Sequence, residues 1–400
     1  MAEKINLSQS PKNTPKKRAK KRVLFIITQS EFGGAQRFIY EVLRQLVRGH
    51  YQLMLAVGRD GDGSLIRLTS ALGVDTVTLT CLRRNIRPVQ DILAIREVKK
   101  IIGSFLPDTL FLNSSKAGFI GSLAARLLKF SRRPKVIYRI GGWTFNDPWP
   151  LWKKRLWIIL EKISARWKDI IIVNNRSDYE QARHLGIKPR KELILVHNGI
   201  DPYRIDFFNK AEARTKLLAM LPTERAQKTK RIVGTIANLY PAKGLEDLVR
   251  AAALDEDDSA VYMIIGDGME RKKLEQLIID SGLTEKVYIL GRFENAARYL
   301  PGFDIFVLSS HKEGFPWAVL EAMSAKLPVV ATKVGAIPEI IEDGVNGFIV
   351  PARNPAAIAD KINLLANNEL LTNTMSVAAH QAVVLKFSLE HMAGQIESLL

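Results

Sequence analysis

The segment richest in groups able to do chemistry is Ser310-His311-Lys312-Glu313-Gly314-Phe315-Pro316-Trp317-Ala318-Val319-Leu320-Glu321-Ala322-Met323. Glu313 falls in a loop beyond the apolar run Ile305 to Leu308, and Pro316 suits the first turn of the helix that follows. Glu321 falls inside that helix among apolar neighbours, where an unpartnered carboxylate is costly, so a polar partner is expected. A vicinal diol is one such partner, because a carboxylate accepts hydrogen bonds from both hydroxyls. Gly314 lets the backbone approach a ligand, and the amides of the residues that follow it face that ligand at the helix N-terminus. The plainer reading is a capped surface helix with two unrelated glutamates. Lys243-Gly244 ends the loop Ile236-Ala237-Asn238-Leu239-Tyr240-Pro241-Ala242, where a helix should begin. A lysine there can clamp a diphosphate or simply be solvated. Phe32-Gly33-Gly34-Ala35 lets amides and a helix N-terminus reach a phosphate, and a ligand-free tight turn explains it equally well. Gly266-Asp267-Gly268 has Arg271 where the dinucleotide fingerprint needs its third glycine, which argues against a nicotinamide site.

These segments need a scaffold, and the chain supplies one in two sets. Its 400 residues exceed what one core usually supports. Val23 to Thr28, a helix near Ala35 to Arg48 and Leu53 to Val57 read as strand, helix and strand. The grammar recurs at Thr109 to Leu112, Val136 to Tyr138, Ile170 to Val173 and Leu193 to Val196. After His197-Asn198-Gly199-Ile200-Asp201-Pro202 and a polar stretch from Thr223 to Arg231, a second set follows. Its strands are Ile232 to Thr235, Val261 to Ile265, Val287 to Leu290, Ile305 to Leu308, Val329 to Thr332 and Gly347 to Val350. The fold class is α/β, two Rossmann-like domains with parallel sheets facing across a cleft that holds the ligand. The expected division is a flexible basic arm over 1–21, an acceptor-side domain over 22–202, a nucleotide-binding domain over 203–380, and a C-terminal helix over 381–400 able to pack back on the first domain.

Charge is unevenly placed. Residues 1–200 hold 37 basic and 15 acidic side chains, net +22, and residues 201–400 hold 22 and 26, net −4. An anionic partner for the first half follows: phospholipid, nucleic acid or a phosphorylated acceptor. One cysteine, Cys81, and six scattered histidines offer no internal disulfide and no metal cluster, which suits a reducing compartment. No apolar run reaches the roughly 20 residues that span a bilayer, and Val23 to Thr28 is too short for a signal-peptide core. A cytoplasmic chain is expected.

Glu313-x7-Glu321 within EGFPWAVLEAM, followed by Pro328-Val329-Val330-Ala331-Thr332, Gly335, Pro338-Glu339 and Asp343-Gly344-Val345-Asn346-Gly347-Phe348, resembles the C-terminal signature of glycosyltransferase family 4. GGAQR, HNGID, ANLYPAKG, IIGDGMERKKLE and ILGRF extend the resemblance from about Val23 to the end. It implies a retaining enzyme of GT-B architecture that uses a nucleotide sugar, UDP- or GDP-linked, as donor substrate, with no further cofactor and no metal. By the resemblance, Glu321 binds the ribose, and Glu313 with the backbone of Gly314, Phe315 and Pro316 addresses the transferred sugar. Lys243 neutralises the departing diphosphate, with the Val319 and Leu320 amides and the Gly33-Gly34 loop nearby. Asn238 stands where the family often has arginine, Gly141 where it has a histidine beside the sugar, and Lys326 where it has glycine.

The acceptor side is marked by five of the six tryptophans, Trp143, Trp149, Trp152, Trp157 and Trp167. Trp152, Leu156, Ile159, Leu160, Ile163 and Trp167 follow helical spacing, and Lys153, Lys154, Lys162, Arg166 and Lys168 fall mainly elsewhere. Such a helix lies in a membrane interface or packs on a core with a solvated basic face. The expected function is transfer of a sugar to a lipid-linked or polysaccharide-precursor acceptor at the inner membrane face, with an anionic membrane surface as partner. The rivals are a sugar-nucleotide epimerase or phosphorylase of the same architecture, and a non-catalytic nucleotide- or nucleic-acid-binding protein. Nucleic acid is disfavoured, because no base-reading motif is present.

Overall fold

The computed structural model describes residues 20–128, 133–147 and 149–400. The basic arm lies outside the described residues except at its end, where Lys21 already opens the first strand. The first lobe alternates β1 (Lys21–Gln29), α1 (Gly34–Leu46), β2 (Tyr51–Asp60), α2 (Ser64–Ala71), β3 (Asp75–Leu79), α3 (Pro88–Phe105), β4 (Thr109–Asn113), α4 (Ser115–Arg126), β5 (Lys135–Arg139), α5 (Leu151–Ala165), β6 (Ile170–Val173), α6 (Arg176–Leu185) and β7 (Glu192–Leu195). All seven strands are parallel, in the order β3-β2-β1-β4-β5-β6-β7. Strands buried on both faces read as unbroken apolar runs, which is why β1, β4 and β6 are legible in the sequence. Along β1, Val23, Phe25 and Ile27 enter a core that continues into the second lobe, and Leu24 and Ile26 enter the core beneath α3, α4 and α5. β3 escapes the sequence reading: it is an edge strand with only Leu79 fully buried, and its β-branched Thr76-Val77-Thr78 is the signal it offers.

The second lobe runs α7 (Lys210–Leu218), α8 (Thr223–Lys228), β8 (Arg231–Ile236), α9 (Leu245–Ala253), β9 (Ala260–Ile265), α10 (Arg271–Asp280), β10 (Val287–Gly291), β11 (Ile305–Leu308), α11 (Trp317–Ser324), β12 (Val329–Thr332), α12 (Ile337–Ile340), β13 (Phe348–Val350), α13 (Pro355–Ala366) and α14 (Glu369–Lys386). Its six parallel strands stand in the order β10-β9-β8-β11-β12-β13. In each sheet the order reverses at the first strand, between β1 and β4 and between β8 and β11, and such points open a crevice beyond the strand ends. The loops there are Ser30 to Gly33, Ala237 to Gly244 and Ser309 to Pro316.

The last helix, α15 (Leu389–Ser398), returns to the first lobe and packs on α1. Thr109 Oγ1 donates to the Leu400 carbonyl at 2.8 Å, and the Tyr51 hydroxyl to Glu397 at 3.1 Å. The chain therefore crosses between lobes twice, near residue 200 and near residue 387, and the crossings bond to each other: Ile200 N to Phe387 O at 2.8 Å and Leu389 N to Ile200 O at 3.1 Å.

Candidate active site

A cleft of about 1250 Å³ separates the lobes, walled by Gly33, Gly34 and Arg37 on one side and by Asn238, Lys243, Glu313 and Glu321 on the other. Helix α1 starts at Gly33 with no acidic residue in its first turn, and α11 starts at Pro316 with none either. The two N-termini meet, because Trp317 Nε1 donates to the Gly34 carbonyl at 3.0 Å. Amide dipoles from both lobes thus converge on one place, the arrangement that attracts an anion.

Around it the charged side chains are paired. Lys243 Nζ donates to Glu313 Oε1 at 2.6 Å, and Ser310 Oγ donates to the same oxygen at 2.7 Å. The Lys243 loop is braced from below by His311 Nε2, 2.7 Å from Oδ2 of buried Asp247. Glu321 has the polar partner its surroundings demand, and it is the Arg37 guanidinium, which also lies over the Trp317 ring at 4.6 Å. Arg37 is a site residue the sequence reading lacks. It ends the string GGAQR, yet nothing local announces an ion pair with a residue 284 positions away. Glu41, one turn further along α1, has its carboxyl raised by burial, against the pull of Arg44 and Arg37.

Gly314 shows the fit between lobes: a Cβ there would stand 2.0 Å from the Gly141 carbonyl oxygen. Asn198 Nδ2 donates to the Phe315 carbonyl at 3.0 Å, and Phe315 packs on His197 and Phe387. Further ties are Arg292 to Glu31 at 2.8 Å, His197 to Glu339 at 2.8 Å, and Lys312 to Asp147. Asn238 is exposed on the cleft wall. The Val319 and Leu320 side chains point away from it into the core, so only the helix backbone at those positions is available to a ligand. Among the described residues, no group of three or more His, Cys, Asp or Glu is placed to hold a metal ion.

The residues expected on the acceptor side do not line the cleft. Trp152, Trp157, Lys153 and Lys154 belong to α5, on the outer face of the first lobe. Trp152 is 67% exposed, beside exposed Leu151, Leu156, Ile159 and Ile163. Trp157 instead turns inward against the core, because it sits on the opposite side of the helix from Ile159 and Ile163, and Lys153 lies over the Trp149 ring at 3.5 Å. Trp143 is fully buried, its Nε1 bonded to the Asp178 carbonyl at 2.9 Å.

Two family profiles match the chain: the one described as Glycosyltransferase Family 4 over residues 32–204 and the one described as Glycosyl transferases group 1 over residues 221–382. The N-acetyl-alpha-D-glucosaminyl L-malate synthase of Bacillus anthracis is 28% identical over 60% of this chain and 61% of its own length. The UDP-Gal:alpha-D-GlcNAc-diphosphoundecaprenol alpha-1,3-galactosyltransferase of Escherichia coli is 24% identical over 80% of this chain and 81% of its own. Among solved structures, the Anabaena protein HepE in complex with UDP and glucose superposes with a TM-score of 0.81 at 20% identity, covering 95% of this chain and 99% of that one.

Proposed function

Because the chain belongs to glycosyltransferase family 4, we propose that it is a retaining enzyme that moves a sugar from a UDP-linked donor to a lipid-linked or polysaccharide-precursor acceptor. The observation that carries the donor half is the meeting of the α1 and α11 N-termini with Lys243 and Glu321 in one cleft. A diphosphate between the two helix ends receives oriented amides and one lysine, which stabilise leaving-group charge. In the proposed reaction the bond from the sugar's C1 to the diphosphate oxygen breaks, the acceptor oxygen bonds to C1 on the same face, and the acceptor's proton passes to the diphosphate. Glu313 and the Gly314 to Pro316 backbone address the sugar, and Glu321 the ribose hydroxyls. UDP is favoured over GDP because the Anabaena structure holds UDP and the Escherichia coli relative is named for a UDP-linked donor.

Support for the acceptor half comes from α5. Its outward stripe, Leu151, Trp152, Leu156, Ile159 and Ile163, is flanked by Lys162, Arg166 and Lys188, and α3, in the same helical layer, exposes Val89, Ile92 and Leu93. Apolar side chains rimmed by cations suit an anionic bilayer surface. Among the described residues no helix is long and apolar enough to cross a membrane, so the proposed association is peripheral, on the cytoplasmic face.

Thermal shift with UDP, GDP and ADP tests the reading. UDP at about 100 times its dissociation constant should stabilise by roughly 2.7 kcal/mol, more than either rival nucleotide. No shift with any of them would overturn it. Donor turnover that needs no acceptor would favour the epimerase or phosphorylase reading instead.

A further inference from the structure

Arg139 ends β5, 2% exposed, at the cleft wall beside Gly141. Its Nη2 donates to Asn198 Oδ1 at 2.8 Å and its Nη1 reaches Asn113 Oδ1 only at 3.4 Å. Its plane lies on the Phe38 ring at 3.9 Å, and its Nε is buried with no partner. No carboxylate among the described residues pairs with it. Of the other arginines that line the cleft, Arg37, Arg44, Arg204, Arg292 and Arg298 pair with Glu321, Glu41, Asp201, Glu31 and Asp206, and Arg67, which is exposed, donates to the Asp62 carbonyl. A buried charge without a counter-charge is costly, and burial alone draws this guanidinium down to about 9. The fold keeps it nonetheless, and leaves space beside it. Gly141 is exposed to the cleft, and a Cβ there would lie 3.6 Å from Nη1.

We propose that Arg139 and the space over Gly141 form a subsite for an oxyanion, a carboxylate or phosphate carried by the substrate at the sugar end of the cleft. A guanidinium with a spare N–H suits such a group, because a charge-assisted bond is about twice as strong as a neutral one. The proposed diphosphate position is at the two helix N-termini with Lys243, so this second cation serves a second negative charge. That charge belongs to an acidic donor sugar or to an anionic acceptor. The inference rests on the proposed function of the cleft.

Calorimetric titration separates the sources. The donor arm compares UDP, UDP-glucose and UDP-glucuronate; the acceptor arm titrates UDP-saturated protein with glycerol and with sn-glycerol 3-phosphate. The charged member of one arm should bind at least tenfold tighter than its neutral counterpart. Arg139→Gln should bring that ratio within twofold, Arg139→Lys should keep part of it, and UDP itself should be unaffected. Gly141→His, which fills the space and leaves Arg139 in place, should also erase the preference, so the result does not hang on the folding of one variant. The subsite is overturned if neither arm prefers its charged member, if the preference survives Arg139→Gln or Gly141→His, or if Arg139→Gln weakens UDP as much as the charged ligand. Failure of UDP to bind the wild-type protein sinks the reading of the cleft as well, whereas UDP binding without a charge preference sinks the subsite alone.

Discussion

Lys243 and Glu313 hold each other at 2.6 Å, and this pairing sets what each can contribute. The carboxylate holds the ammonium at the cleft wall, and in the proposed reaction the lysine's other N–H groups meet the leaving diphosphate, whose charge grows as the sugar departs. Lys243→Ala should therefore lower kcat by about 100-fold, the scale of losing one preorganised donor to developing charge, with a much smaller change in KM. In its proposed role at the ribose, Glu321 would bond equally to bound and reacting nucleotide, so for Glu321→Ala UDP affinity should fall about tenfold and kcat less. Steady-state kinetics beside UDP titration check both, and indistinguishable profiles for the two variants would contradict the assigned roles. Glu321 also shows how far sequence reasoning reaches at this scale. Its apolar neighbours demand a polar partner, and the demand is met, but by Arg37 from the other lobe. A need is legible in one segment; what answers it depends on how two lobes close.

Helix α5 illustrates the same limit at the scale of an element. Its apolar spacing allowed a membrane-facing stripe or a core-facing one; in the structure Trp152, Leu156, Ile159 and Ile163 face out, and Trp157 packs inward. Exposed positions contribute little to stability, so Trp152→Ala with Leu156→Ser should leave the urea midpoint unchanged and abolish sedimentation with anionic vesicles at low salt. Trp157→Ala should instead cost about 2 kcal/mol or more, as loss of a large packed side chain does. Retained vesicle binding in the first variant would detach α5 from the membrane reading. Behind the helix, Lys168 is buried over the Tyr138 ring at 4.0 Å, with its Nζ 2.9 Å from Ser164 Oγ and 3.3 Å from Glu161. Burial draws its pKa below the ordinary 10.5. The unfolded chain therefore binds this proton more tightly, and the group's contribution to stability rises as pH climbs through the interval just below 10.5. Urea midpoints at pH 8 and pH 10 should show the wild type gaining on Lys168→Met; a constant difference would contradict the sign. The strands were legible wherever both faces are buried, as in β1 and β11, and β3 was not, because an edge strand has only part of that apolar code.

At the scale of the whole molecule, closure brings Gly314 against Gly141 so tightly that no side chain fits between them. Gly314→Ala should hold the lobes apart, lowering activity by 100-fold or more and enlarging the radius of gyration in solution scattering, with little loss in melting temperature. An unchanged radius with normal turnover would show that the close approach is not needed. The two chain crossings have a further consequence. Ile200 is bonded to Phe387 and to Leu389, and Gly199 passes so near the Ser388 carbonyl that a Cβ would sit 2.2 Å from its oxygen. Mechanically the pair is a two-leaf flexure. A single tether would let one lobe swivel and slide over the other, whereas two leaves riveted side by side are stiff in torsion and soft only in bending. Such a linkage would confine any movement of the second lobe to one arc and return Glu313, Gly314 and the start of α11 to the same seat opposite Gly33, Gly34 and Gly141, so that alignment between the two reacting partners would be a property of the linkage rather than something either ligand must impose.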